Sequence, residues 1–398
     1  MSSPIAFDGQ NRPVVPEEGA LIPIIVGDGV GPDIWRATEP VLAKAARLSG
    51  HRLEFMEVLA GEEAHRRTGQ YLPGETLETL RKYRVALKGP LATPVGGGLR
   101  SLNVAIRQAL DLYACVRPIK WIPGVPSPVR RPDKADMVIF RENTEDVYAG
   151  LEWAAGTPEA ESLIGYAADR LKARIRPGSA VGLKPMSEFG SKRLVRMALS
   201  WALAEGRPNL TLVHKGNIMK YTEGAFRAWG YEVAREEFGP LTVPEAEAAA
   251  PGEEKRLVVK DRIADNMFMQ SLLRPEEYGV LAMPNLNGDY LSDCLAGQIG
   301  GLGMAPGANL GDGLAVFEAT HGTAPKYAGL DQVNPSSLIL SGAFMLEFLG
   351  WGEAAGRIRR ALETVVGQKV MTYDLARLAG LRPVSCSEFG RAVADCLG

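Results

Sequence analysis

Leu21-Ile-Pro-Ile-Ile-Val-Gly-Asp-Gly-Val-Gly-Pro-Asp33 decides which kind of α/β protein this chain can be. An apolar, β-branched run leads into a turn holding Gly27, Gly29 and Gly31, and Pro32 opens a helix. That order of strand, glycine turn and helix invites a dinucleotide-binding label. The label does not fit. The pattern G-x-G-x-x-G needs its third glycine one position later than Gly31, and Glu54 as the ribose acid is a coincidence that many α/β proteins supply. A tight structural turn is the better reading, so a nucleotide site has to be built from other parts of the chain.

The alternation seen there continues outward. Apolar runs at 21–26, 85–87, 137–140, 210–213, 257–259 and 280–283 predict strands, and segments at 33–48, 101–113, 187–205, 223–237 and 336–349 predict helices, most of them bounded by Gly or Pro. The pattern is α/β. There is no internal repeat, and 244–254, rich in Ala and Glu, reads as a surface loop. With 398 residues the chain exceeds what one core usually serves, and the Pro- and Gly-rich passages at 122–132 and 297–313 are the places where it would change lobes.

A net charge of -2 provides no basic excess to hold a polyanion, which argues against nucleic acid as a partner. Met1 to Gln10 lack the basic start and apolar run of a signal peptide, and no stretch reaches the ~20 apolar residues that span a bilayer, so the expected location is the cytoplasm, without membrane partners. Cys115, Cys294, Cys386 and Cys396 are scattered and read as reduced thiols, and the equally dispersed histidines leave only a hard, carboxylate-bound metal plausible.

Two passages carry chemistry. Lys88-Gly-Pro-Leu-Ala-Thr-Pro-Val-Gly-Gly-Gly-Leu-Arg-Ser-Leu-Asn103 leads into a helix on which Arg100, Asn103 and Arg107 share one face while Leu102, Ile106 and Ala109 share the other. Gly96 to Gly98 allow a close backbone approach, and first-turn amides near Ser101 favour an anion. An isolated helix of this kind would simply be solvated, but Arg117 and Arg141 each stand beside a predicted strand. Several guanidiniums, with Ser101 and Asn103, suit a small substrate bearing several carboxylates. In the second passage Asp289 and Asp293 lie four residues apart at a predicted helix start. With Asp265 they form a candidate site for Mg²⁺ or Mn²⁺, although Asp289 alone would also serve as a cap.

At these residues the chain resembles the isocitrate and isopropylmalate dehydrogenase family, and within it the bacterial, NADP-dependent branch that acts on isocitrate. The likeness covers nearly the entire chain. It rests on Leu-Lys-Gly-Pro at 87–90, Ser-Leu-Asn at 101–103, Phe-Arg-Glu-Asn-Thr-Glu-Asp-Val-Tyr at 140–148, His-Lys-Gly-Asn at 214–217, Asn-Gly-Asp-Tyr-Leu-Ser-Asp at 287–293 and His-Gly-Thr-Ala-Pro-Lys-Tyr at 321–327. One departure is Ala92, where bacterial relatives often carry threonine; Thr93 follows.

The resemblance implies an α/β fold distinct from Rossmann. A large lobe would comprise 1–112 and 300–398, a small lobe 113–145 and 188–299, and a clasp 146–187 would interlock two subunits. It implies that Ser101, Asn103, Arg107, Arg117 and Arg141 hold isocitrate. Tyr148 and Lys215 would be the catalytic pair, and Asp265, Asp289 and Asp293 would surround the metal. NADP would lie along His321, Gly322, Thr323, Ala324 and Asn334, with Lys326, Tyr327, Tyr373 and Arg377 on its 2′-phosphate. In relatives the lysine and one aspartate come from the second subunit of a homodimer, which would make the active sites shared. Some relatives are regulated by a kinase acting at the serine matching Ser101. Homoisocitrate and 3-isopropylmalate are the rival substrates, against which the Ser101 and Asn103 pair speaks. A catalytically dead binding protein on the same fold is the rival from another class.

Overall fold

The computed structural model describes residues 3–92, 101–250 and 252–398. Thr93, the Gly96 to Gly98 run and Arg100 lie outside the described residues.

One eleven-stranded sheet runs through the molecule. In spatial order its strands are Thr242–Pro244, Leu257–Ile263, Asn209–His214, Val280–Met283, Asp136–Glu142, Ala114–Lys120, Pro306–Gly311, Leu314–Ala319, Val85–Lys88, Ala20–Ile25 and Leu53–Glu57. Strands from the middle of the chain form one parallel half, and strands from both chain ends form the other. Antiparallel pairings of Ala114–Lys120 and Pro306–Gly311 with each other and with their outer neighbours join the halves. Val85–Lys88 and Val280–Met283 are buried at every position, as strands covered on both faces must be.

Helix positions follow the sequence pattern closely. The predicted 33–48, 187–205, 223–237 and 336–349 appear as Gly31–Leu48, Glu188–Ala204, Glu223–Phe238 and Ser336–Phe348. Pro32 stands in the first turn of Gly31–Leu48, where its missing N–H costs nothing, and Ile34, Val41, Leu42 and Ala45 turn one stripe into the core. The largest hydrophobic cluster spans both halves of the sheet, joining Ile22 and Leu87 to Phe140 and Leu212.

The opening turn is structural, as read. Gly27 and Gly29 have φ of +86° and +59°, and a Cβ on either would lie 2.2 Å from the Pro90 carbonyl oxygen or 2.1 Å from that of Thr323. The turn amides are spent on protein: Asp28 N–H donates to Pro90 O at 2.8 Å and Val30 N–H to Thr323 O at 3.0 Å. The Asp28 carboxylate accepts from the amides of Glu62 and Ala92 at 2.7 and 2.8 Å. The turn therefore buttresses two loops that border the functional cleft.

Residues 146–187 form a small annex: a short turn at Asp146–Ala149, the helix Pro158–Asp169, and the paired strands Glu152–Trp153 and Val181–Gly182. Leu151, Tyr166, Leu171 and Leu183 are exposed there. The described residues of 244–254 are largely exposed, and the cysteines are free. Among the described residues no helix is long and apolar enough to cross a membrane.

Candidate active site

Arg117 and Arg141 stand inside strands rather than beside them. Cys115 pairs with Arg141 across the antiparallel ladder, and Arg117 is two residues further along, so period-two alternation puts both guanidiniums on one face of the sheet. Helix Asn285–Gln298 packs there and brings Asp289 and Asp293 to the same place. Arg141 donates from Nε to Asn285 Oδ1 at 2.8 Å, pairs with Asp289, and lies 4.9 Å above the Tyr148 ring. Arg117 donates to Ser292 Oγ at 2.5 Å and Asp293 Oδ1 at 3.0 Å.

Tyr148 Oη donates to Asp289 Oδ2 at 2.5 Å. Burial and that bond to a carboxylate push the phenol up to about 12, against the opposing pull of Arg141, so it keeps its proton at neutral pH. Burial alone would raise the Asp289 carboxyl, but Arg141, the Tyr148 hydroxyl and Arg117 together hold it below the usual range. At Asp293 burial prevails over Arg117 and the pKa is raised.

A second charge cluster closes the opposite wall. The Val85–Lys88 and Leu314–Ala319 strands pair Lys88 with Glu318 in register. The buried Glu318 carboxylate meets Lys88 Nζ at 2.9 Å, Arg107 at 2.8 Å and Asn309 Nδ2 at 2.7 Å. Burial opposes its charge, yet Lys88 and Arg107 hold it well below the carboxylate range.

Between the walls lies a cleft of about 320 Å³, lined by Lys88, Ser101, Asn103, Arg107, Arg117, Arg141, Tyr148 and Asp289 among others. Ser101 caps the helix Leu102–Ala109 by position, but its side chain makes no capping bond. Asn103 Oδ1, Arg107 Nε and Arg117 Nε are buried without a hydrogen-bond partner among the described residues. Such atoms normally find partners, and here a bound polar molecule would supply them.

A larger pocket of about 670 Å³ shares His321 and Gly322 with the cleft and is also lined by Ala324, Tyr327, Asn334, Tyr373, Asp374 and Arg377. The Tyr327 and Tyr373 rings stack with centroids 5.1 Å apart. Burial and the hydrogen bond to Tyr327 raise the Tyr373 pKa, and burial lowers that of His321. Asn334 is held by Asp374 at 3.1 Å. Lys326 is exposed on the neighbouring turn Pro325–Tyr327, and Thr323 is engaged through its carbonyl by Val30; neither lines the pocket.

Lys215 and Asp265 are elsewhere. They pair with each other at 2.9 Å and line neither cavity. Asp265 does not join Asp289 and Asp293, and among the described residues no group of three or more His, Cys, Asp or Glu side chains comes together to hold a metal.

Sequence reasoning missed Lys88 and Glu318 as cleft residues, Asp374 as a pocket residue, and Asn285 as the buried partner of Arg141. Glu318 did carry a signal: a lone acid in the apolar run Leu-Ala-Val-Phe-Glu-Ala has to be buried, and a buried acid needs a cation.

A cleft lined by four cationic side chains, sharing His321 and Gly322 with a second pocket, sits on a sheet contributed by two halves of the chain, and the chain's class is that of the dehydrogenases. Residues 21–393 match the isocitrate/isopropylmalate dehydrogenase family, and the chain belongs to it. It is 53% identical over 392 residues to the NADP isocitrate dehydrogenase of Archaeoglobus fulgidus, covering 98% of this chain and 95% of that one. To the corresponding Pseudomonas aeruginosa protein it is 54% identical over 389 residues, covering 94% and 92%. The crystal structure of isocitrate dehydrogenase from Methylococcus capsulatus is similar at 37% identity with a TM-score of 0.80, covering 95% of this chain and 99% of that one.

Proposed function

We propose that the chain oxidises and decarboxylates isocitrate to 2-oxoglutarate and carbon dioxide with reduction of NADP. The observation that carries this reading is the 320 Å³ cleft, where Lys88, Arg107, Arg117 and Arg141 converge and buried polar atoms await partners. These four cations face the three carboxylates Glu318, Asp289 and Asp293, leaving one excess positive charge. A tricarboxylate and a divalent cation would together bring one negative charge, which balances it.

The donors fit a hard cation. Asp289 and Asp293 sit one helical turn apart on one face, and Mg²⁺ or Mn²⁺ completes such a set with water and substrate oxygens. When bound, the metal supplies Lewis-acid polarisation at the substrate hydroxyl, and NADP in the 670 Å³ pocket supplies a hydride acceptor. The chain supplies the rest. Arg107, Arg117 and Arg141 grip carboxylates from opposite walls, and Ser101 and Asn103 offer hydroxyl and amide contacts from the Arg107 helix. Lys215, once its Nζ has passed a proton to Asp265, takes the hydroxyl proton as the neutral amine. Tyr148, kept protonated, delivers a proton to carbon after carbon dioxide leaves.

Lys215 and Asp265 serve this chemistry in a homodimer with shared sites. Their separation from the cleft supports that arrangement, as do the exposed Ile218 and Tyr221 beside Lys215 and the exposed Met269, Leu272 and Leu273 on the Asp265 helix. The 146–187 annex would be the interlocking clasp between lobes formed by 1–112 with 300–398 and by 113–145 with 188–299. Ser101, on the cleft wall with its hydroxyl uncommitted to the helix cap, is the site at which a regulatory kinase would act. The test is NADPH formation with Mg²⁺ or Mn²⁺ and each of isocitrate, homoisocitrate and 3-isopropylmalate. Isocitrate should be turned over fastest; no turnover of it, or faster turnover of either other acid, refutes the assignment.

A further inference from the structure

Outside the cleft the structure contains an ion triad, a half-buried lysine between two buried carboxylates, that lines neither the cleft nor the second pocket. Lys184 reaches from the annex to two carboxylates that are each only 1% exposed: it pairs with Asp146 and lies 3.0 Å from Glu223. Each carboxylate spends its other bonds on a segment that carries the chemistry. Asp146 sits two residues before Tyr148 and accepts from the Leu286 amide at 3.0 Å, in the first turn of the helix bearing Asp289. Glu223 Oε2 accepts the Lys215 amide at 2.5 Å and Asn287 Nδ2 at 2.8 Å. Asp146 has a φ of +68°, a left-handed conformation that is uncommon outside glycine although Asp adopts it more readily than most residues.

We propose that Lys184 is a positioning residue for the reaction: through Asp146 and Glu223 it fixes the Tyr148 turn, the Asp289 helix and the backbone of Lys215 relative to one another. Without the ammonium, two buried carboxylates face each other unpaired and must move apart or take up a proton, and either change releases the segments they hold. The inference rests on the shared-site reading in one respect. If Lys215 serves the neighbouring subunit's cleft while Tyr148 and Asp289 serve their own, a single Lys184 sets the geometry of half of each of two sites.

Lys184→Met tests this in the full-length protein. As a pure variant it should lose at least about tenfold in kcat while the KM for NADP stays within twofold, because the cofactor pocket shares no residue with the triad. Adding Glu223→Gln removes one of the two carboxylate charges left facing each other and so ends their repulsion, which should recover most of the lost melting temperature without recovering kcat; joint recovery would make the role merely structural and overturn the proposal.

Co-expression with wild-type chains in equal amounts gives a second readout. A Tyr148→Phe chain spoils only its own site and should leave about half of wild-type activity, whereas a Lys184→Met chain spoils both sites of a mixed dimer and should leave about a quarter. About half for Lys184→Met would overturn the coupling of the two sites. If Lys184→Met fails to fold, Asn287→Ala, which keeps the triad and removes one of its bonds, should lower kcat several-fold, and wild-type kcat there overturns the proposal. Wild-type protein that does not turn over isocitrate with NADP would instead overturn the functional assignment.

Discussion

Glu318→Gln keeps the side-chain volume but removes the one carboxylate that Lys88 and Arg107 share, leaving two cations around a neutral amide. Breaking a buried pair from one side costs ~3–5 kcal/mol, and because Arg107 borders an open cleft the lower end applies, about 3 kcal/mol. For 398 residues the unfolding entropy is about 0.8 kcal/mol/K, so the melting temperature should fall by about 4 °C. The loss also has a pH signature. Burial disfavours the Glu318 charge, but Lys88 and Arg107 win and hold its folded pKa far below the ordinary 4.5. Its stabilisation is therefore complete above about pH 4.5 and drains away as pH falls below that value. The gap between wild type and variant should be full at neutral pH and narrow on acidification. Isocitrate should partly rescue the variant, since a substrate carboxylate offers Arg107 a replacement partner, and saturating isocitrate should raise the variant's melting temperature more than the wild type's. Equal melts at neutral pH, or an isocitrate shift no larger in the variant, would refute the reasoning.

Arg377→Ala should raise the KM for NADP by roughly 10- to 100-fold, a loss of one charged hydrogen bond of about 1.5–3 kcal/mol, while leaving the KM for NAD nearly unchanged; steady-state kinetics with both cofactors decide it, and equal losses would remove Arg377 from the 2′-phosphate. Tyr148→Phe and Lys215→Met chains, each inactive alone, should restore roughly a quarter of wild-type activity when co-expressed, because half of the dimers then carry one intact site. No recovery would place both residues in one subunit's site. Ser101→Asp should lower isocitrate affinity at least about tenfold more than Ser101→Ala, since the added charge repels a polyanion, with both variants melting near the wild-type temperature. Equal affinities in an isocitrate titration would remove Ser101 from the substrate wall.

Much of this was legible along the chain because it is local. Helical periodicity was enough to set Asn103 and Arg107 apart from Leu102 and Ile106, and to place Asp289 and Asp293 on one face; Leu102 and Ile106 are indeed buried. The mismatch of Gly31 with a dinucleotide loop was legible for the same reason, since a turn's glycine spacing is a property of five or six consecutive residues. The motifs at 87–90, 101–103, 140–148 and 321–327 pointed to the family, and their residues do converge on the cleft and its neighbouring pocket.

Periodicity orients a side chain within its own element but does not choose its partner in another. The guanidiniums read as awaiting carboxylates are already matched, Arg107 to Glu318, Arg117 to Asp293 and Arg141 to Asp289, because the order of the sheet and the docking of helix Asn285–Gln298 bring residues 148 to 211 positions apart into contact. Within one chain the three aspartates do not meet, with Asp265 on Lys215, Asp289 lining the cleft and Asp293 on Arg117; the expectation that one aspartate comes from a second subunit belongs to a pair of chains and not to one. Lys184 carried no local signal, since a lysine in a polar stretch looks solvated until the fold buries two carboxylates beside it. Sequence alone determined which faces and motifs this protein would present, through interactions spanning a few residues. Tertiary structure decided which charges neutralise one another and which are left for a ligand, because that depends on the burial and distance created by packing remote segments together.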